Sequence, residues 1–295
     1  MSKQDKLMRD IHRLLDSQTF GSKKELEKYL EEITKNPIPS FPKESLTLKE
    51  QAQDLITEAY DKQLDEAFES AINAIRLDPD CIEAYEFLGN LELFPETAIV
   101  YFKYGVDIGR RIFANNHFKN SIGNFWMVFE TRPFMRCLNS YTDCLIEMKK
   151  YHEAISIYEE LIKLNPNDNQ GVRDQLTLYL LKVYDFNKFR KYDKMYKDDL
   201  CAAMSFNRAL FTFKTQGASS AARTQLSKAI ESNKHVIPIL ITKNFDDEIP
   251  DTYSIGDKSE ALVYCSYAHK IWHDFPDAIR WIKNNNKRES LRVVK

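Results

Sequence analysis

Glycine, cysteine and long apolar runs are all scarce in this sequence. Only 8 of the 295 residues are glycine, which is typical of a helical protein with few special turns. The 5 cysteines are odd in number and none has CxxC spacing, so neither a zinc knuckle nor a disulfide framework is predicted, and we expect a reducing compartment. The longest apolar run, 236–241, contains a proline and is far shorter than the roughly 20 residues that span a bilayer.

Targeting and charge signals are missing too. Residues 1–6 (MSKQDK) lack the basic-then-apolar order of a signal peptide, so we expect a cytoplasmic protein with no membrane partner. The net charge is only −2, and no basic patch is interleaved with aromatic residues. This balance argues against a nucleic-acid partner.

Recognisable catalytic motifs are absent as well. There is no GxSxG, P-loop or Rossmann glycine pattern, so we predict a protein that is not an enzyme and needs no cofactor. His269 and His273 have i, i+4 spacing, but no HExxH glutamate lies between them and no third ligand is evident. No metal site is therefore predicted.

What the sequence does contain is a repeated spacing, in which a residue, mostly alanine, is followed by others four and seven positions on. The sets are Ala67/Ala71/Ala74, Ala98/Phe102/Gly105, Ala154/Tyr158/Leu161, Lys188/Tyr192/Met195, Ala222/Leu226/Ala229 and Ala261/Cys265/Ala268. The third, fourth and fifth sets begin 34 residues apart, which is the period of the tetratricopeptide repeat. The spacing predicts an all-α, right-handed superhelical solenoid of about five to six helix-turn-helix repeats.

The same spacing divides the chain into segments. Residues 1–46 hold two amphipathic stretches and a linker with three prolines at 36–42, so we expect an N-terminal helical extension there. The solenoid is predicted over 47–285 and a charged tail over 286–295. The step from Ala98 to Ala154 is 56 residues, 22 more than one period, and we assign the excess to an inserted helix near 109–133.

Two further stretches resemble a known group of proteins. Residues 125–136 (FWMVFETRPFMR) and 164–173 (LNPNDNQGVR) resemble segments of little-characterised, mostly bacterial tetratricopeptide-like proteins. Residues 233–238 (NKHVIP), followed by 256–261 (GDKSEA), fit that group and are faintly similar to the C-terminal part of the eukaryotic suppression-of-tumorigenicity family. The resemblance covers roughly residues 50–285. It implies an all-helical fold and an interaction role, and it transfers no established activity to this chain.

The first helix of each repeat supplies the inner wall of such a stack, and this register selects candidate partner contacts. They are Arg136, Asn139, Gln170, Arg173, Asn207 and Phe211. Two arginines beside amide side chains predict a polar floor for a peptide carboxylate or an acidic side chain. In the alternative interpretation, Arg136 and Arg173 pair with Glu130, Asp168 or Asp174 and hold neighbouring helices together.

The inserted segment adds three more candidates, Trp126, Glu130 and Arg132. They form one wall of a pocket in one interpretation, and a junction that closes the irregular spacing in the other. The leading hypothesis is a non-enzymatic adaptor that binds a protein or peptide in a concave groove. The alternatives are a self-associating scaffold, and a small-ligand sensor or enzyme with a pocket at 109–133. The oligomeric state stays open.

Overall fold

The computed structural model describes residues 3–36, 41–114 and 119–293. All regular structure in these residues is helical and no strand is present among them, which confirms the predicted all-α fold. None of the described helices combines the length and the apolar character needed to cross a bilayer. The chain forms two compact units, Met1–Lys150 and Tyr151–Lys295.

The first unit is built from helix hairpins. Among its described residues the α-helices are α1 (Lys3–Asp16), α2 (Lys23–Lys35), α3 (Leu48–Ala59), α4 (Leu64–Leu77), α5 (Ile82–Leu91), α6 (Pro95–Phe113) and α7 (Arg132–Glu147). Helices α3 and α4 pack together, as do α5 and α6, and α6 also packs on α7. The first two pairs are the hairpins that the sequence spacing predicts.

Local sequence decides where these helices begin. Thr47 and Glu50 form a capping box at the start of α3, because the Thr47 hydroxyl accepts from the Glu50 amide while the Glu50 carboxylate accepts from the Thr47 amide. Pro95 opens α6, where its missing N–H costs nothing. Arg9 then fixes α1 on α3 by donating to the Thr57 hydroxyl over 2.8 Å.

Small residues let the helices of the first unit approach closely. Ala67, Ala71 and Ala74 of the repeated spacing are buried against the core. On α6, a Cβ atom added at Gly109 would lie 2.2 Å from the ring of Phe134 on α7. Only glycine fits at so short a separation of helix and ring.

The segment predicted as an inserted helix holds several short elements. Its described residues contain the end of α6 and two 3₁₀ helices, Phe125–Met127 and Phe129–Thr131, while 115–118 lie outside the described residues. The Thr131 hydroxyl donates to the carbonyls of Phe125 and Val128 and so ties both 3₁₀ helices together. Helix α7 starts directly after them.

The second unit continues the pattern with eight α-helices among its described residues. They are α8 (Tyr151–Leu164), α9 (Val172–Lys182), α10 (Phe186–Met195), α11 (Ala202–Gln216), α12 (Ser220–Ser232), α13 (Val236–Leu240), α14 (Lys258–His273) and α15 (Pro276–Val293). Helices α9 and α10 pack together, as do α11 and α12, and α13 packs on α14. Ala154 and Ala222 are fully buried, as the repeated spacing requires.

The last helix extends into the segment that the sequence analysis assigned to a charged tail. That tail was predicted over 286–295, and α15 runs without a break from Pro276 to Val293. Its first turns bury Ala278, Ile279 and Ile282, so the helix is anchored where it starts and continues through the charged stretch.

Candidate functional site

A cavity of the second unit lies beside the N-terminal ends of α9 and α11. It measures about 820 Å³, and its walls come from residues 166–174, from 195–201 and from the loop that carries Tyr253 and Ile255. We call it the aspartate pocket after the charged residues that line it. These are Asp168, Arg173, Asp174, Asp198 and Asp199.

Arg173 lies among three of these carboxylates. Its Nε donates to Asp199 Oδ2 over 2.6 Å and its Nη1 donates to Asp168 Oδ2 over 3.0 Å. Asp174 Oδ1 is 3.9 Å from Nε, and the guanidinium lies 5.3 Å from the ring centre of Tyr196. Such charge-assisted bonds are stronger than neutral ones, so the arginine is firmly held.

Asp168 lies in the turn before helix α9 and bonds to the first amides of that helix. Its carboxylate accepts from the amides of Val172 and Arg173, each over 2.9 Å, and so satisfies two free N–H groups at the helix N-terminus. Its φ of 52° lies in the left-handed region, which aspartate tolerates better than most residues. The turn before α9 and the first turn of the helix therefore present a carboxylate and an arginine, respectively, to the same cavity.

The opposite wall is the loop between α10 and α11, and Arg208 holds it. Arg208 Nη2 donates to the carbonyl of Tyr196 over 2.8 Å, its Nη1 donates to the carbonyl of Asp199, and its Nε donates to Asp193 over 2.6 Å. Asp199 Oδ1 in turn accepts from the Cys201 amide over 2.9 Å. The loop is thus fixed with Asp199 facing Arg173.

A buried polar network lies beneath the pocket. Asn207 Nδ2 donates to the carbonyl of Asp174 and to the Thr177 hydroxyl, each over 3.0 Å. Its Oδ1 accepts from the Tyr264 hydroxyl, which accepts from the Trp272 indole N–H, both over 2.9 Å. Every named group has a partner, so the network joins α9, α11 and α14 into one support for the pocket.

The pocket shifts the protonation of its own groups. Burial raises the pKa of Asp174 to about 7, against the field of Arg173 and with repulsion from Asp199 and Asp168. Burial would also raise the pKa of Asp199, but hydrogen bonds from Cys201 and Arg173 hold it below its ordinary value. Burial raises the pKa of the Cys201 thiol. At neutral pH Asp199 is therefore ionised, Asp174 is balanced between its two forms and Cys201 is a thiol.

Asp174, Asp199 and Cys201 are close enough together to be compared with a metal site. One ligand atom of each lies within 4.8 Å of the others. However, Arg173 already neutralises Asp199 and lies beside Asp174, and the protonated Cys201 thiol is 3.8 Å from Asp174 Oδ1. The contacts fit an ion-pair network better than a set of metal ligands.

The structure brings two of the predicted contacts, Gln170 and Arg173, to the wall of this pocket. Asn207 lies directly below it, but its side chain is 0% exposed and a partner would have to open the packing to reach it. Phe211 is half-buried and stacks on Phe189 with ring centres 4.4 Å apart.

The other predicted contacts belong to the first unit. Arg136 forms a two-point ion pair with Glu86, with bonds of 2.7 and 2.9 Å, and Asn139 donates to Asp143 over 3.4 Å. Arg132 donates to the Trp126 carbonyl over 2.9 Å, with its guanidinium 5.8 Å from that indole ring. Glu130 is exposed beside them.

Both arginines therefore pair with carboxylates, as the alternative interpretation predicts. Arg173 pairs with Asp168 and Asp174, which that interpretation names, and also with Asp199, which it does not. Arg136 pairs with Glu86, whereas the sequence pointed to Glu130.

The repeat spacing did not identify several of the residues that line the aspartate pocket. Tyr196, Asp198, Asp199, Cys201 and Tyr253 come from loops, which the repeat spacing does not index. The Asp198–Asp199 pair, which ends three residues before the first residue of α11, was the available signal, since aspartates near a helix start often face its N-terminus. Tyr253 lies about 80 residues from Arg173 in sequence, and no sequence signal indicated that the two line one cavity.

Comparison with known proteins finds one family match and one solved structure with a partial alignment. The tetratricopeptide repeat family matches residues 137–168, which cover most of α7 and all of α8. A solved structure described as the crystal structure of YrrB, a TPR protein with an unusual peptide-binding site, aligns with a TM-score of 0.39 and 17% identity over 70% of this chain and 90% of that chain. No curated protein matches the chain. The family match identifies one tetratricopeptide repeat, at residues 137–168.

Proposed function

We propose that the chain is a non-enzymatic adaptor that binds a protein or peptide partner, and that the aspartate pocket receives a positively charged side chain of that partner. The charge of the pocket carries this proposal. Four aspartates and one arginine are the charged residues among its described lining. An excess of carboxylates in a half-enclosed cavity attracts a cation and repels an acidic peptide.

The contacts of Arg173 favour a basic partner, whereas the sequence favoured an acidic one. Its guanidinium is already bonded to Asp168 and Asp199 and lies beside Asp174. An incoming carboxylate would have to compete with these three and would meet their repulsion. A lysine or arginine would add the missing positive charge instead.

Asp198 is the first contact that such a side chain would make. Its side chain is exposed at the pocket wall, and no ion pair to it is found in the part of the chain that the structure describes. Tyr196 and Tyr253 add aromatic faces, which attract ammonium and guanidinium groups. Deeper in the pocket, the carboxylates of Asp174 and Asp199 can interact with both Arg173 and the cationic side chain of the partner.

An array of peptides matched in apolar content, with basic, neutral or acidic residues at the variable positions, tests this function. The full chain should retain the basic peptides, and Asp174→Asn and Asp198→Asn should each weaken the best of them by about tenfold in fluorescence anisotropy. Glu153→Gln, which removes one exposed charge elsewhere in the second unit, is the matched control. Preferential retention of acidic peptides would contradict the proposal.

The predicted contacts in the first unit remain part of the proposal. Trp126, Arg132 and Asn139 are half-buried and Glu130 is exposed, so a partner can touch all four. Trp126 and Arg132 offer an indole and a guanidinium side by side, a pair that is common at binding hot spots. The cytoplasmic location also stays a prediction.

A further inference from the structure

A second cavity, in the first unit, has a different character. It measures about 540 Å³ and lies between α4 and the turn that joins α5 to α6. We call it the Phe94 groove. It is lined by Leu64, Asp65, Phe68, Glu69, Leu88, Leu91, Glu92, Leu93 and Phe94.

The rim of the Phe94 groove exposes large apolar side chains. Leu93 is 89% exposed, Phe94 is 65% exposed, Leu64 is 64% exposed and Phe68 is 43% exposed, while Leu88 in the floor is 1% exposed. Single exposed apolar residues are ordinary, but four around one concavity form a contiguous patch. Leu93 and Phe94 also occupy a turn, where polar residues would serve the backbone better. Because both side chains are mostly exposed, packing in the core of the chain does not account for apolar residues at these positions.

The charges around the Phe94 groove are all of one sign. Asp65, Glu69 and Glu92 are the charged residues of its lining, and none forms an ion pair among the described residues. This differs from the aspartate pocket, where Arg173 neutralises part of the charge. Three free carboxylates beside an apolar floor are complementary to a segment that is both apolar and basic.

We propose that the Phe94 groove docks a partner-protein segment with at least two large apolar side chains flanked by lysine or arginine. The apolar side chains pack between Phe68 and Phe94 over Leu88, and the flanking cations pair with Asp65, Glu69 and Glu92. A second copy of this chain that presented the same groove would bring carboxylates against carboxylates, so the charge disfavours symmetric self-association. Acidic or phosphate-rich surfaces are disfavoured for the same reason.

This docking surface is independent of the aspartate pocket, because its residues all belong to the other unit. The experiment is selection of a random displayed peptide library on the full chain, with counter-selection on Leu93→Gln/Phe94→Gln. Both side chains are mostly exposed, so the double variant should keep its helical circular dichroism and its melting temperature. A second variant, Asp65→Asn/Glu92→Gln, removes charge and leaves the apolar rim in place.

The expected peptides combine large apolar residues with lysine or arginine. They should bind Leu93→Gln/Phe94→Gln about tenfold more weakly than the parent chain. Their binding to Asp65→Asn/Glu92→Gln should be weakened mainly at low salt, because salt screens the charge interaction. Their affinity for Asp174→Asn should equal their affinity for the parent chain. Val100→Gln, at an exposed apolar residue of α6 outside the groove, should have no effect.

Two results would overturn the proposal. One is a selection that yields no peptide able to distinguish the parent chain from the Leu93→Gln/Phe94→Gln variant. The other is a doubling of mass with concentration in light scattering that this variant abolishes, which would assign the groove to a second copy of the chain.

Discussion

At the scale of single residues, Arg173 organises the aspartate pocket. It bonds to side chains that come from the turn before α9 and from the loop before α11. Its neighbours Asp168 and Asp199 also accept backbone N–H bonds, so each carboxylate has two roles. Removal of the arginine would leave several half-buried carboxylates facing one another.

Arg173→Met should therefore lower the free energy of unfolding by about 1–3 kcal/mol, because the carboxylates lose a charge-assisted bond and repel one another. Chemical denaturation followed by circular dichroism measures this loss. Arg280→Met is the matched control, since its ion pair with Asp277 is exposed and surface pairs contribute little. An equal effect of the two substitutions would mean that the Arg173 network adds nothing to stability.

Asp174 gives the pocket a pH dependence. Burial raises its pKa to about 7 in the folded chain, well above its ordinary value of 3.8. The folded state therefore binds this proton more tightly than the unfolded chain, and stability should fall as the pH rises from about 4 to about 7. Between pH 5 and pH 8 the parent chain should lose more unfolding free energy than Asp174→Asn. Parallel loss in both proteins would assign the pH dependence to other groups.

At the scale of helices, contacts between small residues set the distances. Gly105 and Gly109 are one turn apart on α6, and both face α7, where they meet Cys137 and Phe134. The repeated spacing identified this close approach at Gly105 but not at Gly109, because the latter lies beyond the seventh position of its set. The repeated spacing therefore identified the packed faces of the helices. It did not predict that α6 continues past its repeat set into the irregular segment after Gly105.

The sign of the stability change in Gly109→Ala tests the close contact between α6 and α7. Helix propensity alone would make alanine more stable by about 0.5–1 kcal/mol. The added Cβ would lie 2.2 Å from the Phe134 ring, so we expect a net loss of about 1–3 kcal/mol instead. Phe134→Leu in the same chain should recover part of this loss, because the smaller side chain makes room. A stabilised Gly109→Ala protein would show that the two helices are not in this close contact.

At the scale of the whole molecule, the sequence predicted the repeated helix hairpins better than it predicted the sites. A fixed period identifies which helical faces are buried, and this is why Ala154 and Ala222 were placed correctly. The sites depend on the loop 195–201, which side-chain bonds from Arg173 and Arg208 hold, and on the turn at Leu93, whose side chain is exposed. No spacing rule reports those contacts.

Net charge was a poor guide for the same reason. A total of −2 excludes a strong overall field, but it averages over local excesses. The aspartate pocket and the Phe94 groove each collect carboxylates on one cavity. We therefore propose basic partners for both, although composition pointed to no particular charge.

The central claim is that a cationic side chain of the partner pairs with the carboxylates of the aspartate pocket. A double-mutant cycle tests it most directly, with the basic residue of a bound peptide replaced by norleucine and the pocket changed by Asp174→Asn. We predict that each single change weakens binding by about tenfold and that the two together weaken it little further, because they remove the same interaction. Fully additive losses would show that the cation and Asp174 do not interact, and would contradict the account.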